Sequence, residues 1–173
     1  MGPAERLDRH VLDAFSTPAN TLVNEVAYVG FEVVNFRPDW VFAGAIAVLI
    51  ARVQWWVRDA VLAAALVAGT GVLALKALLA NPRYQPVPVD SNAYPWSDAF
   101  PSGHAAGSLA MSLAFLSVVP SSSRRPTAVA GILFTLYISL GVLLLNYHYP
   151  SDVVAGWLLA AGWWFFLLAA LPS

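Results

Sequence analysis

A chain of 173 residues that is 59% hydrophobic and only 11% charged lacks the polar shell of a soluble domain, which carries about 25% charged residues. Much of its surface must therefore meet lipid, and the expected fold is all-α: a polytopic bundle of membrane helices forming one domain over residues 1–173. A net charge of −1 offers nucleic acid no cationic face, and the absence of Cys excludes disulfide scaffolds and thiolate metal sites.

The first candidate segment, Leu7 to Phe36, is weakly hydrophobic because Asp13, Asn20, Asn24, Glu25, Glu32 and Asn35 interrupt it. Its apolar positions (Val11, Phe15, Leu22, Val26, Val29, Val33 and Phe36) still recur at helical spacing. Two arrangements fit: an interfacial helix followed by a short span, or one span whose polar face packs against the other helices, the second being preferred. Glu25 and Glu32, seven residues apart on one face, read as solvated or turned into the bundle, without chemistry. No signal-peptide pattern opens the chain, so no cleavage is expected.

Five further spans follow, each near the roughly 20 apolar residues that a crossing needs. Pro38 to Trp56 is the shortest in its apolar part, with Arg52 and Gln54 in its last turns. Asp59 to Ala80 ends at Asn81-Pro82, and Ser102 to Val119 ends at Pro120. Thr127 to Tyr147 and Val153 to Leu171 complete the six.

Cytoplasmic loops collect Lys and Arg. With both termini inside, Arg6, Arg9, Arg52, Arg58, Arg124 and Arg125 fall on the cytoplasmic side and Arg37, Lys76 and Arg83 outside, six of the nine cations against three. This puts the Asn81–Phe100 loop and His148 on the extracytoplasmic face. Trp40, Tyr94, Trp96, Tyr147 and Tyr149, near span ends, read mostly as interfacial belt residues.

Three clusters on that face carry chemistry. Lys76 and Arg83 are either snorkelling anchors at a helix end or a pair of cations aimed at a phosphate, Arg as a planar fork and Lys as a point charge. Pro101-Ser102-Gly103-His104 opens a span. As structure it is a helix start with a capping Ser; as chemistry it combines anion-binding backbone N–H groups, a Gly allowing close approach, a hydroxyl and an imidazole. By average usage this string arises in roughly one chain of this size in a thousand. Gly103 and Gly107 have a second reading in close helix packing. In His148-Tyr149-Pro150-Ser151-Asp152, Ser151 and Asp152 either cap the last span, or the Asp carboxylate holds the His Nδ1–H and leaves Nε2 to attack phosphorus.

In motif order and spacing the chain resembles the type-2 phosphatidic acid phosphatase superfamily, integral-membrane lipid phosphatases related in fold to soluble vanadium haloperoxidases and bacterial acid phosphatases. The family's signature is K-x6-R-P, P-S-G-H and S-R-x5-H-x3-D. Here Lys76-x6-Arg83, Pro101-Ser102-Gly103-His104 and His148-x3-Asp152 match it. Pro precedes Arg83 instead of following it, a minor change. Gly141 and Val142 stand where the third motif has Ser and Arg, which removes one phosphate-binding cation, a loss on the order of 2–4 kcal/mol of transition-state stabilisation.

The resemblance implies hydrolysis of a lipid phosphate monoester or diphosphate through a phosphohistidine. His148 would be the nucleophile, Asp152 its orienting carboxylate and His104 the general acid. Lys76, Arg83 and the backbone around Ser102 and Gly103 would hold the phosphoryl oxygens. The scheme requires no cofactor and no metal; zinc on the two His and the Asp is the disfavoured alternative. Expected partners are the lipid phosphate and membrane lipids, with polyprenyl phosphates or diphosphates, phosphatidic acid, phosphatidylglycerophosphate and polyprenyl phosphoribose phosphate as candidate substrates. Compensation for the missing Arg would fall to Arg37, Asn146 or Tyr84. Two other classes remain open: a catalytically weakened homologue that binds lipid phosphate, motivated by Val142, and a lipid phosphotransferase.

Overall fold

The computed structural model describes residues 6–8, 10–11, 13, 22–35 and 100–170, and all its regular structure there is helical. The four long helices are α1 (Leu22–Asn35), α2 (Gly103–Val118), α3 (Arg124–Leu144) and α4 (Pro150–Ala170), with a 3₁₀ turn at Ser121–Ser123 before α3. The all-α expectation holds for these residues. The expected spans 38–56 and 59–80, and with them Arg37, Lys76, Arg83 and Tyr84, lie outside the described residues, so the count of six is not established.

α2 matches its predicted span to within a residue because punctuation at both ends is local. Ser102 caps the start, its Oγ accepting from Ala105 N at 3.3 Å, and Pro120 follows the end. α3 begins and ends three residues earlier than expected. Pro126 sits in its first turn, where no N–H is needed, so the helix extends back to Arg124. At the other end Asn146 adopts a left-handed φ of 56°. Asn146 N bonds Leu143 O and Tyr147 N bonds Val142 O, each at 3.0 Å, a Schellman stop.

Asn146 is therefore a helix terminator that turns the chain toward His148. Asn146→Ala should lower stability by about 1 kcal/mol or somewhat more, since a Cβ without a local polar partner disfavours this conformation, whereas Asn146→Gly should be neutral or stabilising. Thermal unfolding in detergent checks the pair.

Small residues set the packing. α2 packs against both α3 and α4, and α1 packs against α3. Ala106, Ala110 and Ala114 of α2 are buried, as is Ala160 of α4, the small side chains that let helix backbones approach closely. A Cβ on Gly156 would stand 2.6 Å from the Ser102 carbonyl oxygen and 3.1 Å from Ala106 N. A Cβ on Gly131 of α3 would stand 2.9 Å from Ser112 Cβ of α2. The role expected of Gly107 thus falls to these glycines, because a Cβ at Gly107 would meet nothing within 4 Å among the described residues. Between α2 and α3, Ser112 Oγ reaches the Gly131 carbonyl (3.1 Å) and Thr135 Oγ1 (3.3 Å).

Among the described residues one helical stretch, Ser121–Leu144, is long and apolar enough to cross a membrane, with a mean hydropathy of 2.1. Its exposed side chains include Val129, Ile132, Leu133, Leu136 and Leu140, an apolar stripe that water would not favour. α4, at 21 residues, is about 32 Å long and exposes Val154, Leu158, Phe165 and Phe166.

The contacts fix the direction of each helix. α2 and α4 both start at the end of the bundle that carries His148, and α3 returns to it. α1 runs away from that end: Ala27 faces Gly141, while Val26 and Gly30 lie against Tyr137, whose hydroxyl donates to Val26 O at 2.6 Å. Asp8 bonds Ser151, so the amino-terminal stretch also sits at the His148 end. Charge asymmetry expects it at the opposite face. The carboxylate meets donors that a helix start leaves without partners inside the helix. Residues 14–21, which join this stretch to α1, lie outside the described residues. Glu25 is exposed, as a solvated face requires.

Candidate active site

The second and third motifs meet where α2 and α4 begin. Ser102 N donates to the Asp152 carbonyl oxygen at 2.9 Å, tying the cap of α2 to the first turn of α4 across 50 residues of sequence. Gly156, one turn further along α4, makes the approach possible by having no side chain at Ser102. Both Ser102 and Asp152 are 0% exposed.

That junction brings the histidines together. The His104 and His148 rings lie 6.1 Å apart between centroids, tilted by 60°, so they face a common space without stacking. His148, 2% exposed, places Nδ1 3.5 Å from Asp152 Oδ2. The same Oδ2 accepts from Tyr149 N at 2.8 Å, the reach-back half of a capping box, with Pro150 at the first helical position. Both readings of Asp152 are therefore realised in one oxygen: it caps α4 and it faces the imidazole. Asp152 Oδ1 is buried and has no hydrogen-bond partner among the described residues.

Ser102 has a structural role: its Oγ accepts the helix-cap bond from Ala105 N and its N–H is taken by Asp152 O, while its hydroxyl proton stays able to donate to an anion. His104 and Gly103 are half-buried, on the accessible side of the junction. Lys76 and Arg83 lie outside the described residues.

The departures in the third motif have a packing explanation. A Cβ on Gly141 would stand 3.3 Å from the Ala27 carbonyl oxygen, so α1 lies where a serine side chain would crowd it. Val142 is 0% exposed in a cluster with Ala105, Leu143 and Val153, against which Tyr147, Tyr149 and Trp157 pack. Tyr147 and Tyr149 are half-buried against this cluster. The backbone of Asn146 forms the helix stop.

Val142→Arg tests this arrangement. If the absent cation limited the rate, restoring it would raise activity. A guanidinium at this fully buried apolar position should instead cost about 3–5 kcal/mol and lower phosphate release, read from unfolding and activity side by side.

Two contributors carried no strong sequence signal. Gly156 stands four residues after Asp152, a spacing that is visible only once the carboxylate is placed on a helix. Asp8 lies 143 residues from its partner Ser151.

Comparison with known proteins bears on the same segment. The model of one family, the PAP2 superfamily, matches residues 56–172, a range that includes Lys76 and Arg83 as well as both described motifs. No curated protein and no solved structure matches the chain.

Proposed function

The chain belongs to the PAP2 superfamily, whose members are generally phosphatases acting on phosphate esters, and on that premise we propose that it is a membrane lipid phosphatase working through a phosphohistidine. The observation that carries this reading is the junction of His104, His148 and Asp152, held by the Ser102–Asp152 backbone bond.

The geometry supports the following chemistry. With Nδ1 turned to Asp152, His148 Nε2 is the nucleophile; it forms a bond to phosphorus as the phosphorus–oxygen ester bond breaks. His104 donates a proton to the leaving oxygen. Water then attacks the phosphohistidine, His104 takes the proton, and the nitrogen–phosphorus bond breaks to release inorganic phosphate. In-line transfer needs a nitrogen about 3 Å from phosphorus and a proton donor at similar distance from the leaving oxygen. Imidazoles with centroids 6.1 Å apart are near enough to reach one phosphoryl group and its leaving oxygen. Asp152 stabilises the imidazolium character developing on His148, with Oδ1 as its second acceptor. Gly103 N–H, Lys76 and Arg83 bind the phosphoryl oxygens.

The apolar exteriors of α3 and α4 support lateral access for an acyl or prenyl tail. Arg124 and Arg125, exposed at the opposite end of the bundle from His148, support an extracytoplasmic site with the carboxyl terminus in the cytoplasm. The amino-terminal stretch then lies on the site's face.

Val142 favours one alternative, a weakened homologue that binds lipid phosphate without turning it over. Incubating the purified protein with polyprenyl phosphates and diphosphates, phosphatidic acid and phosphatidylglycerophosphate separates the readings. Release of inorganic phosphate supports the phosphatase. Binding without release from any of them points to the weakened homologue, and phosphate appearing on a second lipid points to a phosphotransferase.

A further inference from the structure

We propose that Asp8 is a positioning residue for His148, clamping the first turn of α4 from outside the bundle as Asp152 does from within. This rests on the phosphatase reading of the same site.

Asp8 Oδ1 accepts from Ser151 N at 3.1 Å, and Asp8 Oδ2 accepts from the Ser151 hydroxyl at 2.5 Å. Ser151 is the second residue of α4, where backbone N–H groups have no partner within the helix. It lies between His148 and Asp152 in the chain. Tyr149 N, on the other side of Pro150, goes to Asp152 Oδ2. Two carboxylates thus take successive donors of one turn, one of them fully buried and the other half-buried at the surface.

This division of work matters because the cap also sets the imidazole. His148 precedes the helix by two residues, so its ring inherits any motion of this turn. Asp152 alone would have to hold the turn and face the imidazole with a single oxygen, and Asp8 relieves it of part of that work. A carboxylate at a helix start is favourable in its own right, but a two-oxygen grip from the far end of the chain also fixes the direction in which the turn leaves the bundle. Leu7, beside Asp8, is 65% exposed and Arg6 is exposed. Residues 6–8 therefore meet the start of α4 at its surface, and their effect on the site runs through the exposed Ser151.

Asp8→Ala should lower kcat about five-fold, the effect of losing one helix cap, with KM little changed. Asp8→Asn, which keeps one acceptor for Ser151 N, should recover most of the rate, a rescue that a purely electrostatic role would not show. Ser151→Ala combined with Asp8→Ala should be no worse than Asp8→Ala alone. Because the chain contains no Cys, Asp8→Cys with Ser151→Cys gives a background-free crosslink, which should form on mild oxidation and leave activity in place. Failure to crosslink, loss of activity on crosslinking with recovery on reduction, or equal rates for Asp8→Ala and the parent would each overturn the proposal. Should the parent release no phosphate from any lipid, the phosphatase reading fails by itself; inorganic phosphate binding then decides the positioning role, a several-fold weaker affinity in Asp8→Ala supporting it and an unchanged affinity overturning it.

Discussion

Replacing His148 with glutamine should reduce phosphate release by on the order of 10⁴-fold or more, the scale seen when a covalent nucleophile is removed, while the helices remain assembled. Glutamine retains a polar side chain near Asp152, so the buried carboxylate is not left facing a void. Alanine at the same position should be equally inactive and also less stable, since Asp152 Oδ2 would retain Tyr149 N but lose the imidazole. Measuring release on one lipid phosphate together with thermal unfolding distinguishes the two effects. If the glutamine variant keeps more than a few per cent of the rate, His148 is not the nucleophile.

The second large effect is expected at a residue that touches no substrate. Gly156→Ala places a methyl group 2.6 Å from the Ser102 carbonyl oxygen and 3.1 Å from Ala106 N, both of them backbone atoms in a helix start that cannot rotate aside. Either α4 moves away or the Ser102–Asp152 bond breaks. Overpacking of this kind costs about 1–3 kcal/mol of stability. A displacement near 1 Å between His104 and His148 costs about 100-fold in rate. The expected result is a fall in kcat far larger than the stability loss accounts for, checked by activity at a temperature where the variant is fully folded. A fully active Gly156→Ala protein would show that the two motifs need not approach as closely as the structure has them.

These expectations show which parts of the molecule sequence reasoning reaches. The bounds of α2 are legible because Ser102 and Pro120 act on their immediate neighbours. The candidates His104, His148 and Asp152 stand out in the sequence because the proposed chemistry demands particular side chains at short spacing, and the structure brings the three together. The end of α3 is not: Leu143, Leu144 and Leu145 continue the apolar run, and only the left-handed conformation at Asn146 stops the helix. The bond from Ser102 N–H to the Asp152 carbonyl carries no sequence signal, because its partner lies 50 residues away. Gly141 and Val142 read as losses when compared with a motif, yet their neighbours Ala27, Ala105 and Val153 make them the residues this packing requires. Asp8 shows the same limit from the other side, since nothing local marks a carboxylate whose donors lie at the far end of the chain. Two hydrogen bonds join it to Ser151 beside the site.

Phosphohistidine formation at His148 is the claim on which the mechanism depends. Incubating the purified protein with a lipid phosphate labelled in its phosphoryl group, denaturing it in alkali and mapping the retained label tests this directly. The label should reside on a peptide containing His148, be lost on acid treatment as a phosphoramidate is, and be absent from the His148→Gln protein. Release of phosphate by the parent without any protein-bound label, or the same label on the His148→Gln protein, would contradict it.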